Sequence, residues 1–524
     1  MNRRNFLKSA TATGLGVGLW NATANASVPE HSWFKYDWGS APPVPDRLYQ
    51  GPFPQYGPAA IVPDSDVRMI TSPSRDIVSN FGMGLIVYCS DDTGPLHVPG
   101  QTQEQTLEDL IKLPFVQKVY LRPNWREVQS RPGRLDFAEW WKIAFDLARR
   151  YDKQIGFRVQ LENPDVPEPG MPDFLLNKVP LVKLKGEWKG NPAEMRYKKD
   201  NRVPRYDDPA YQAAFRELNE LLAAELNGHP QIEFADTMMY GFWGEGHTWP
   251  YEGNPFPNDL VAEQTWNKMF EMQLEQWTKT PLATNTQPDF SNVGNSDLVD
   301  RTIRTANWLR TDTIFIENTQ IEALSYRPPW VAAICEVGFT TGDPKELRTD
   351  EDGITYNEQI ISHAADVGVN YLSVWSWHNQ SARSILSYYE KFPGPIDEMA
   401  RQIGYRVRPS FLWKFTRDGA DGIVVGLAND GIAAVPGVLR LSVVSEDNKV
   451  LASGCVDPGY PRPTGLHQAM LILPAGVKWQ GQRLKAELEV KGVRHPVRWA
   501  CKQKVNPDGS ITLRHNYKPE QPLV

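Results

Sequence analysis

The chain contains 524 residues and carries a formal charge of −7, and 41% of its residues are hydrophobic. That length exceeds what one ordinary core needs, and the composition is that of a soluble globular protein with enough apolar residues for two cores. The acidic balance argues against a nucleic-acid partner. Beyond the N-terminus, no apolar run approaches the length that spans a membrane.

The N-terminus has the features of a targeting sequence. Arg3 and Arg4 precede a Gly- and Ala-rich apolar stretch that ends at Ala24-Asn25-Ala26, where small residues suit cleavage. This pattern resembles a twin-arginine export signal over residues 1–26 and implies a periplasmic or secreted protein. Its removal takes away three positive charges and no negative ones, which changes the formal charge from −7 to −10.

The four cysteines, Cys89, Cys335, Cys455 and Cys501, form no CxxC pair, so the spacing indicates neither a zinc ribbon nor an iron–sulfur cluster. The chain after residue 26 also has no nucleotide-binding glycine fingerprint, and we therefore predict no cofactor. Cys455 and Cys501 both lie in the C-terminal region. A disulfide and two separately buried thiols are equally compatible with their positions.

Residues 27–74 lack periodicity and are interpreted as an N-terminal extension packed on the first domain. From residue 84, buried-type strands alternate with helical or loop connections. The predicted strands are 84–89, 119–122, 155–161, 234–239, 282–285, 313–317, 331–337 and 371–375, and the predicted helices include 106–113, 137–150, 209–226, 261–277 and 356–367. Eight such units predict parallel strands that close into a (β/α)8 TIM barrel over residues 75–400, an α/β fold.

The pattern changes after residue 400 to short strands separated by turns such as Asn429-Asp430-Gly431. Alternating apolar and polar residues at 439–443 are typical of half-buried antiparallel strands. We therefore predict a C-terminal antiparallel β-sandwich over residues 401–524.

In a (β/α)8 barrel, residues at the C-terminal ends of the strands face the catalytic mouth. Carboxylates, arginines, amides and indoles occupy these positions in the predicted barrel. They are Arg122, Asn124 and Trp125 after the second strand, Arg158 on the third, Tyr240, Trp243, Glu245 and His247 after the fourth, Asn285 on the fifth, Glu317 on the sixth, Glu336 on the seventh, and Trp375, Trp377 and His378 on or after the eighth.

The segment after the fourth strand has the most suggestive chemistry. Gly244 and Gly246 flank Glu245, and indole rings lie nearby in sequence. A carboxylate in such a setting is typical of sugar-cleaving sites, because the rings pack on pyranose faces and partly desolvate the acid. The alternative is a Gly-rich surface turn with a solvated glutamate.

The segment 119–128, continuing through Arg131-Pro132-Gly133 to Trp140, resembles the second barrel unit of retaining (β/α)8 glycoside hydrolases. Trp-Gly-Glu at 243–245, Trp-Ser-Trp-His at 375–378 and the appended sandwich resemble exported bacterial β-galactosidase-like proteins. The resemblance implies a carbohydrate substrate, Glu245 as acid/base, Glu336 as nucleophile and an aromatic from the eighth strand closing the site. The other strand-end residues are then expected to bind the sugar.

One position departs from that superfamily, which usually has asparagine immediately before the acid/base glutamate. This chain has Gly244, so either another polar group such as Asn124 binds the sugar 2-hydroxyl or the catalytic arrangement differs. Arginine is expected to hold Glu336 ionised, Arg122 being the first candidate and Arg158 the second. Glu317 replaces Glu336 if the strand count is wrong by one.

Two other classes of function remain open at this point. A non-catalytic carbohydrate-binding protein on a degenerate glycosidase barrel is compatible with Gly244. A metal-dependent hydrolase is less well supported, because the sequence has no HExxH motif or close histidine pair and predicts no metal site. The sequence does not predict the oligomeric state.

Overall fold

The structure, a computed structural model, describes residues 67–91, 93–166, 168–186, 202–249, 251–286, 295–311, 324–336, 356–374, 382–417, 419–463 and 465–514. All of these belong to one compact unit, Ser65–Val524. The predicted signal sequence lies outside the described residues, as does the predicted extension up to residue 66.

The strands in chain order are β1 (Val67–Ile70), β2 (Gly84–Tyr88), β3 (Ser90–Asp91), β4 (Gly94–Pro95), β5 (Lys118–Leu121), β6 (Gln154–Phe157), β7 (Leu181–Lys183), β8 (Arg202–Pro204), β9 (Ile232–Asp236), β10 (Leu282–Asn285), β11 (Trp308–Thr311), β12 (Ala333–Cys335), β13 (Tyr371–Ser373), β14 (Val407–Arg417), β15 (Ala420–Asn429), β16 (Val438–Val444), β17 (Val450–Cys455), β18 (Leu466–Ile472), β19 (Arg483–Val490), β20 (Val493–Val497) and β21 (Ile511–Thr512). The helices are α1 (Gln103–Ile111), α2 (Trp125–Val128), α3 (Glu139–Arg150), α4 (Asp173–Leu176), α5 (Pro209–Leu226), α6 (Asp259–Gln276), α7 (Asn295–Arg304), α8 (Tyr356–Val367), α9 (Ala382–Lys391) and α10 (Pro393–Gln402).

Eight of these strands, β2, β5, β6 and β9 to β13, form a closed barrel in which all neighbours are parallel. Helices cross over between them, so the predicted (β/α)8 fold is confirmed. The predicted bounds match for α5, whose start has a clear local cause. Asp208 Oδ1 accepts the backbone N–H of Ala210 at 2.8 Å, and Pro209 occupies the first helical turn.

The sixth barrel strand was predicted wrongly. The apolar run at 313–317 suggested it, whereas the structure places the strand earlier, at Trp308–Thr311, paired with β10 and β12. The hydrophobic pattern misleads here because Arg310, a charged residue, is buried on this strand. A buried strand that faces ionised partners does not read as a continuous apolar run.

Aromatic rings fill the middle of the barrel. The ring of Phe234 lies 5.3 Å from Tyr371 and 6.4 Å from Trp308, centroid to centroid, although these residues come from non-adjacent strands. Gly156 on β6 makes room for the Phe234 ring, since a Cβ at that position would lie 2.2 Å from ring atom Cζ. The barrel interior is therefore packed and is not a channel.

A buried ion pair lies below these rings, toward the N-terminal ends of the strands. Lys118 pairs with Glu233, and the lysine Nζ also donates to the carbonyl of Asn80 at 3.0 Å. The Glu233 carboxylate accepts from the Gly82 backbone N–H at 2.7 Å and from the Tyr371 hydroxyl at 2.5 Å. These hydrogen bonds compensate for burying both charges.

The C-terminal region consists of two antiparallel sheets, ordered β1-β14-β15-β18 and β17-β16-β19-β20, with β21 paired to β19. Their apolar faces share one core, and the predicted β-sandwich is present. Strand β1, which falls within the predicted extension, pairs with β14 of this sandwich. Cys455 is exposed, Cys501 is buried, and both are free thiols.

The sandwich packs on the N-terminal end of the barrel. Phe81, just before β2, stacks on His495 of β20 with ring centroids 3.5 Å apart and planes within 9°. The side-chain amide of Asn80 donates to the Arg498 carbonyl and accepts from the Arg498 backbone N–H. These contacts lie at the N-terminal ends of the barrel strands, opposite the end at which Glu245 and Glu336 follow their strands. Of the helices in the described ranges, none combines the length and apolar character needed to span a membrane.

Gly156→Ala is expected to destabilise the barrel strongly. The added methyl would overlap the Phe234 ring, which is enclosed on all sides, and overpacking of this kind costs about 3 kcal/mol. Urea denaturation followed by circular dichroism measures the loss. Gly394→Ala is the control, because it meets no atom within 4 Å and lies exposed in α10, where alanine is neutral or mildly stabilising. Equal stability of the two variants would contradict this packing.

Candidate active site

Glu245 lies in a tight loop that follows β9. Gly241, Gly244 and Gly246 have φ angles of +77°, +79° and +85°, and Trp243 is also left-handed at +53°. Such angles suit glycine and are strained for tryptophan. The loop is held by backbone hydrogen bonds, including Phe242 N–H to the carbonyl of His247 at 2.8 Å. This local geometry places the buried Glu245 side chain in contact with Arg158 and His247.

Gly244 is required because the loop packs against an arginine. A Cβ at this position would lie 2.7 Å from Cδ of Arg158. The Arg158 guanidinium in turn donates through Nη1 to the Trp243 carbonyl at 2.7 Å and to Glu245 Oε1 at 3.0 Å. The space that a larger residue at 244 would fill is therefore occupied by the cation that binds Glu245.

Asp236, the last residue of β9, links this arginine to a second one. Its Oδ2 atom lies 3.1 Å from Arg158 Nε and 3.3 Å from Arg310 Nη1, and it accepts the hydroxyl of Tyr120. These residues come from four different strands, so their contacts cross the barrel interior. Burial would by itself lower the pKa of Arg310, but the neighbouring charges, Asp236 foremost, hold that pKa above the ordinary arginine value.

Glu336 follows β12 and is the third carboxylate in contact with these buried arginines. Its Oε2 atom pairs closely with Arg310 Nη2, and its Oε1 atom lies 3.8 Å from Arg122 Nη1. Arg310 Nη2 also donates to the hydroxyl of Tyr88 at 2.7 Å. Burial raises the pKa of Tyr88 and of Tyr120 well above the ordinary value, so both hydroxyls stay protonated and neutral.

We call the resulting set of residues the ion network: it comprises Arg122, Arg158, Arg310, Asp236, Glu245 and Glu336. Three guanidinium groups face three carboxylates, and each of the six side chains is at least nine-tenths buried. When all six are ionised the formal charges cancel. An unbalanced set would be costly here, because burying an uncompensated charge costs several kcal/mol.

The structure brings together most of the predicted polar site residues. Arg122, Arg158, Glu245 and Glu336 belong to the ion network, and His247 Nε2 lies 3.2 Å from Glu245 Oε2. Asn285 Nδ2 donates to the Glu245 carbonyl at 3.4 Å, Trp243 accepts from Arg158, and Asn124 lies at the end of the neighbouring strand β5.

The expected partners of the two glutamates need correction. Arg310 is the close partner of Glu336, with Arg122 more distant, and Arg158 binds Glu245 and Asp236 instead. Among the described residues, the Glu245 side chain contacts Arg158 and His247, and the Trp243 indole N–H donates to Asp165 at 2.8 Å.

Two predicted sugar-binding aromatics are packing residues. The Trp125 indole is fully buried, donates to Gln129 at 2.8 Å and packs edge-on against Tyr211 of α5. Tyr240 packs edge-on against Trp266 of α6, with centroids 5.8 Å apart. Both rings lie between the barrel and its helices, because they follow strand ends on the outward side.

Four predicted site residues, Glu317, Trp375, Trp377 and His378, lie outside the described residues. Two members of the ion network, Asp236 and Arg310, were missed. Arg310 was missed because the sixth strand was placed too late. Asp236 lay within a strand that was treated as apolar, and its signal was available: a carboxylate in a buried strand requires a cationic partner.

Glu162 is a further buried carboxyl, outside the ion network and next to the loop that carries Glu245. Its Oε2 atom accepts the Gly170 backbone N–H at 3.1 Å, and its backbone carbonyl accepts the Trp243 N–H at 3.0 Å. Burial raises the pKa of the Glu162 carboxyl to about 8, and backbone hydrogen bonds from Gly170 and Met171 offset only part of this rise. Glu162 therefore remains protonated near neutral pH, behind the loop that carries Glu245.

Several buried polar atoms around the ion network have no hydrogen-bond partner in the part of the chain that the structure describes. They include Arg158 Nη2, Asp236 Oδ1, Gln160 Nε2 and Asn124 Oδ1. Buried polar groups are normally paired. The Asn124 acceptor and the Gln160 donor lie side by side at the ends of β5 and β6 and are therefore available to a polar ligand. Over the same described ranges, no cluster of three or more His, Cys, Asp or Glu side chains is arranged to hold a metal ion.

Comparisons with known proteins give distant structural similarities. Endo-glycoceramidase II from Rhodococcus sp. is 14% identical over 78% of this chain and all of that chain, with a TM-score of 0.36. A GH5_18 protein from Bifidobacterium longum is 12% identical over 60% of this chain and 80% of that chain, at 0.36. A β-galactosidase from Marinomonas ef1 is 12% identical over 61% of this chain and 62% of that chain, at 0.34.

No protein-family model and no curated protein matches the sequence. TM-scores this low support no inference about the chemistry of this chain. The functional argument therefore depends on the site itself.

Gly244→Ala is expected to cost more stability than Gly246→Ala. Both positions have strongly positive φ, so each alanine pays a similar backbone strain of about 1–2 kcal/mol. Only the alanine at 244 also pushes against Arg158; at 246 the nearest atom is the flexible terminal methyl of Met239. Disrupting a buried ion pair adds roughly 3 kcal/mol. Denaturant unfolding of the two variants measures the difference, and equal losses would count against the role of Arg158.

Glu162→Gln is expected to flatten the pH dependence of stability. The folded-state pKa near 8 lies above the ordinary glutamate value of 4.5, so unfolding releases a proton between these limits. This group therefore makes the native protein lose stability as pH rises from about 4.5 to 8. The glutamine variant lacks that loss and gains on the wild type most above pH 8. Unfolding free energies at pH 5 and pH 9 test this, with exposed Glu220→Gln as control. A parallel pH dependence in wild type and Glu162→Gln would refute it.

Proposed function

We propose that this protein is an exported glycoside hydrolase that cleaves a poly- or oligosaccharide with retention of configuration. One observation carries the proposal: Glu245 after the fourth barrel strand and Glu336 after the seventh are both buried and are joined through one ion network. Barrel enzymes place catalytic groups at this end of their strands. The twin-arginine pattern of residues 1–26 supports export.

Glu245 supplies the proton to the leaving oxygen. A retaining enzyme needs one protonated carboxyl and one ionised carboxylate about 5 Å apart. The hydrogen bond between Glu245 and His247 offers a route for holding that proton, with neutral imidazole nitrogen as acceptor. Arg158 opposes protonation of Glu245, and its charge is partly neutralised by Asp236. Glu245 later takes a proton from the attacking water.

Glu336 acts as the nucleophile. Arg310 and Arg122 are the cationic partners of its carboxylate, and the contact with Arg310 also fixes the orientation of that carboxylate. Attack on the anomeric carbon breaks the bond to the leaving group and forms a glycosyl ester on Glu336. Water, deprotonated by Glu245, then cleaves that ester.

Hydroxyl groups of the sugar have partners at the ends of β5 and β6. Asn124 and Gln160 are neighbours in a parallel bridge, and each carries one unpaired polar atom. An acceptor and a donor side by side suit a sugar hydroxyl, which both donates and accepts. In the glycosidases that this chain resembles, the asparagine before the acid/base glutamate binds the sugar 2-hydroxyl. We propose that Asn124 and Gln160 make that contact here, where Gly244 precedes Glu245.

A non-catalytic carbohydrate-binding protein is the second candidate. The observation in its favour is the 3.0 Å contact between Arg158 and Glu245, because a guanidinium so close favours the ionised state over the protonated acid. This candidate retains glycan binding in the same mouth but has no turnover. Turnover of a glycoside substrate is the measurement that distinguishes it from the hydrolase.

Turnover of a panel of 4-nitrophenyl glycosides by the exported form tests the hydrolase. Glu336→Gln is expected to abolish release of nitrophenol, whereas Glu245→Gln slows it less, because nitrophenolate leaves without protonation. With phenyl glycosides, whose leaving group needs the proton, Glu245→Gln loses roughly 10²–10⁴-fold. Proton NMR of the first-formed product is expected to show retention.

Different outcomes separate the alternatives. Inversion of the anomeric centre would exclude Glu336 as a covalent nucleophile. Glycan binding by both wild type and Glu245→Gln without turnover of any substrate would replace the hydrolase by the binding protein. Equal loss on both leaving groups in Glu245→Gln would remove its assignment as the acid.

A further inference from the structure

Asp236 takes no part in the bond-making and proton-transfer steps described above, yet it makes the most central contacts of the ion network. One carboxylate oxygen, Oδ2, accepts hydrogen bonds from Arg158 and Tyr120 and forms an ion pair with Arg310. Each of the two arginines then reaches one of the proposed catalytic glutamates: Arg158 reaches Glu245, and Arg310 reaches Glu336. Asp236 therefore stands between the two catalytic groups without contacting either in the described hydrogen bonds and ion pairs.

The charge on Asp236 decides how strongly each arginine acts on its glutamate. An arginine shared between two carboxylates stabilises each negative charge less than one that serves a single carboxylate. Without Asp236, Arg158 would keep Glu245, and Arg310 would keep Glu336, as its one carboxylate partner among the described residues. Glu245 would then hold its proton less readily, and Glu336 would be a weaker nucleophile.

We infer that Asp236 is a positioning residue with two effects. Its negative charge partly neutralises Arg158, so that Glu245 can be protonated, and its ion pair with Arg310 orients that arginine toward Glu336. This inference rests on the proposed function. Within the described ranges, the groups that face Asp236 are Arg158 after β6, Arg310 from β11 and Tyr120 from β5, and those that face Glu245 include Arg158 and His247. Asp236 acts on the substrate only through these arginines.

The same strand provides a matched control. Glu233 lies three residues earlier on β9, is equally buried and is paired with Lys118, but at the N-terminal end of the barrel below the aromatic rings. Glu233→Gln and Asp236→Asn each remove one buried, ion-paired carboxylate from one strand. A merely structural role for Asp236 predicts that both variants lose activity in the same way.

The test compares the pH profiles of kcat for the two variants with that of the wild type, on phenyl glycosides. Asp236→Asn is expected to move the alkaline limb, which reports the proton on Glu245, to lower pH by about one unit. It also lowers kcat with little change in KM, because Asp236 does not touch the sugar. Glu233→Gln is expected to leave the limb where it is. An unmoved limb in Asp236→Asn, or the same shift in Glu233→Gln, would overturn the inference.

A second measurement does not depend on turnover. The carboxylic-acid infrared band that Glu245→Gln removes reports protonation of Glu245 directly, and its pH midpoint is expected to fall in Asp236→Asn. A wild type that shows this band but no turnover contradicts the proposed function, and the midpoint still tests the charge effect of Asp236. Asp236→Glu, which keeps the charge, is expected to retain the wild-type midpoint while kcat falls. A shifted midpoint in Asp236→Glu contradicts the inference, and this variant serves also where Asp236→Asn fails to fold.

Discussion

The constraint that organises this site is charge balance in a space that excludes water. Arg122, Arg158 and Arg310 face Asp236, Glu245 and Glu336, and each side chain is almost completely buried. Ions removed from water are tolerated only where partners and hydrogen bonds replace hydration. The neutral hydroxyls of Tyr88 and Tyr120 supply two of those hydrogen bonds. Because every charge has a partner on another strand, the ion network also fixes how the strand ends face one another.

This constraint explains the glycine at position 244. From sequence, Gly244 reads as the loss of a residue that glycosidases use, and so as a sign of degeneracy. In the structure its missing side chain makes room for Arg158, whose guanidinium contacts Glu245. The departure therefore accompanies a different charge arrangement around the same carboxylate. Catalysis by this arrangement depends on how strongly Arg158 favours the ionised form of Glu245. Asp236 weakens that effect because it binds the same arginine.

The sequence predicted the barrel well because most of its strands bury apolar side chains on both faces, and the predicted bounds of α5 and β10 match the structure. It failed where a strand buries charge. Arg310 interrupts the apolar pattern of β11, so the following apolar run was taken for the strand. Likewise Trp125 and Tyr240 follow strand ends but lie between barrel and helices, and strand-end position alone does not tell which side a residue faces.

Strand β9 separates stability from chemistry along its own length. Glu233, at its start, pairs with Lys118 beside the sandwich; Asp236, at its end, joins the ion network. The ring of Phe234 lies between them and packs on aromatic rings from other strands, so a low-polarity layer divides the two charged layers. Charges on opposite sides of this layer each have their own counterions within hydrogen-bond distance, and a neutral pair has little field at longer range. A substitution in one charged layer therefore changes the electrostatics of that layer alone. Any effect that it has on folding changes the stability of both layers.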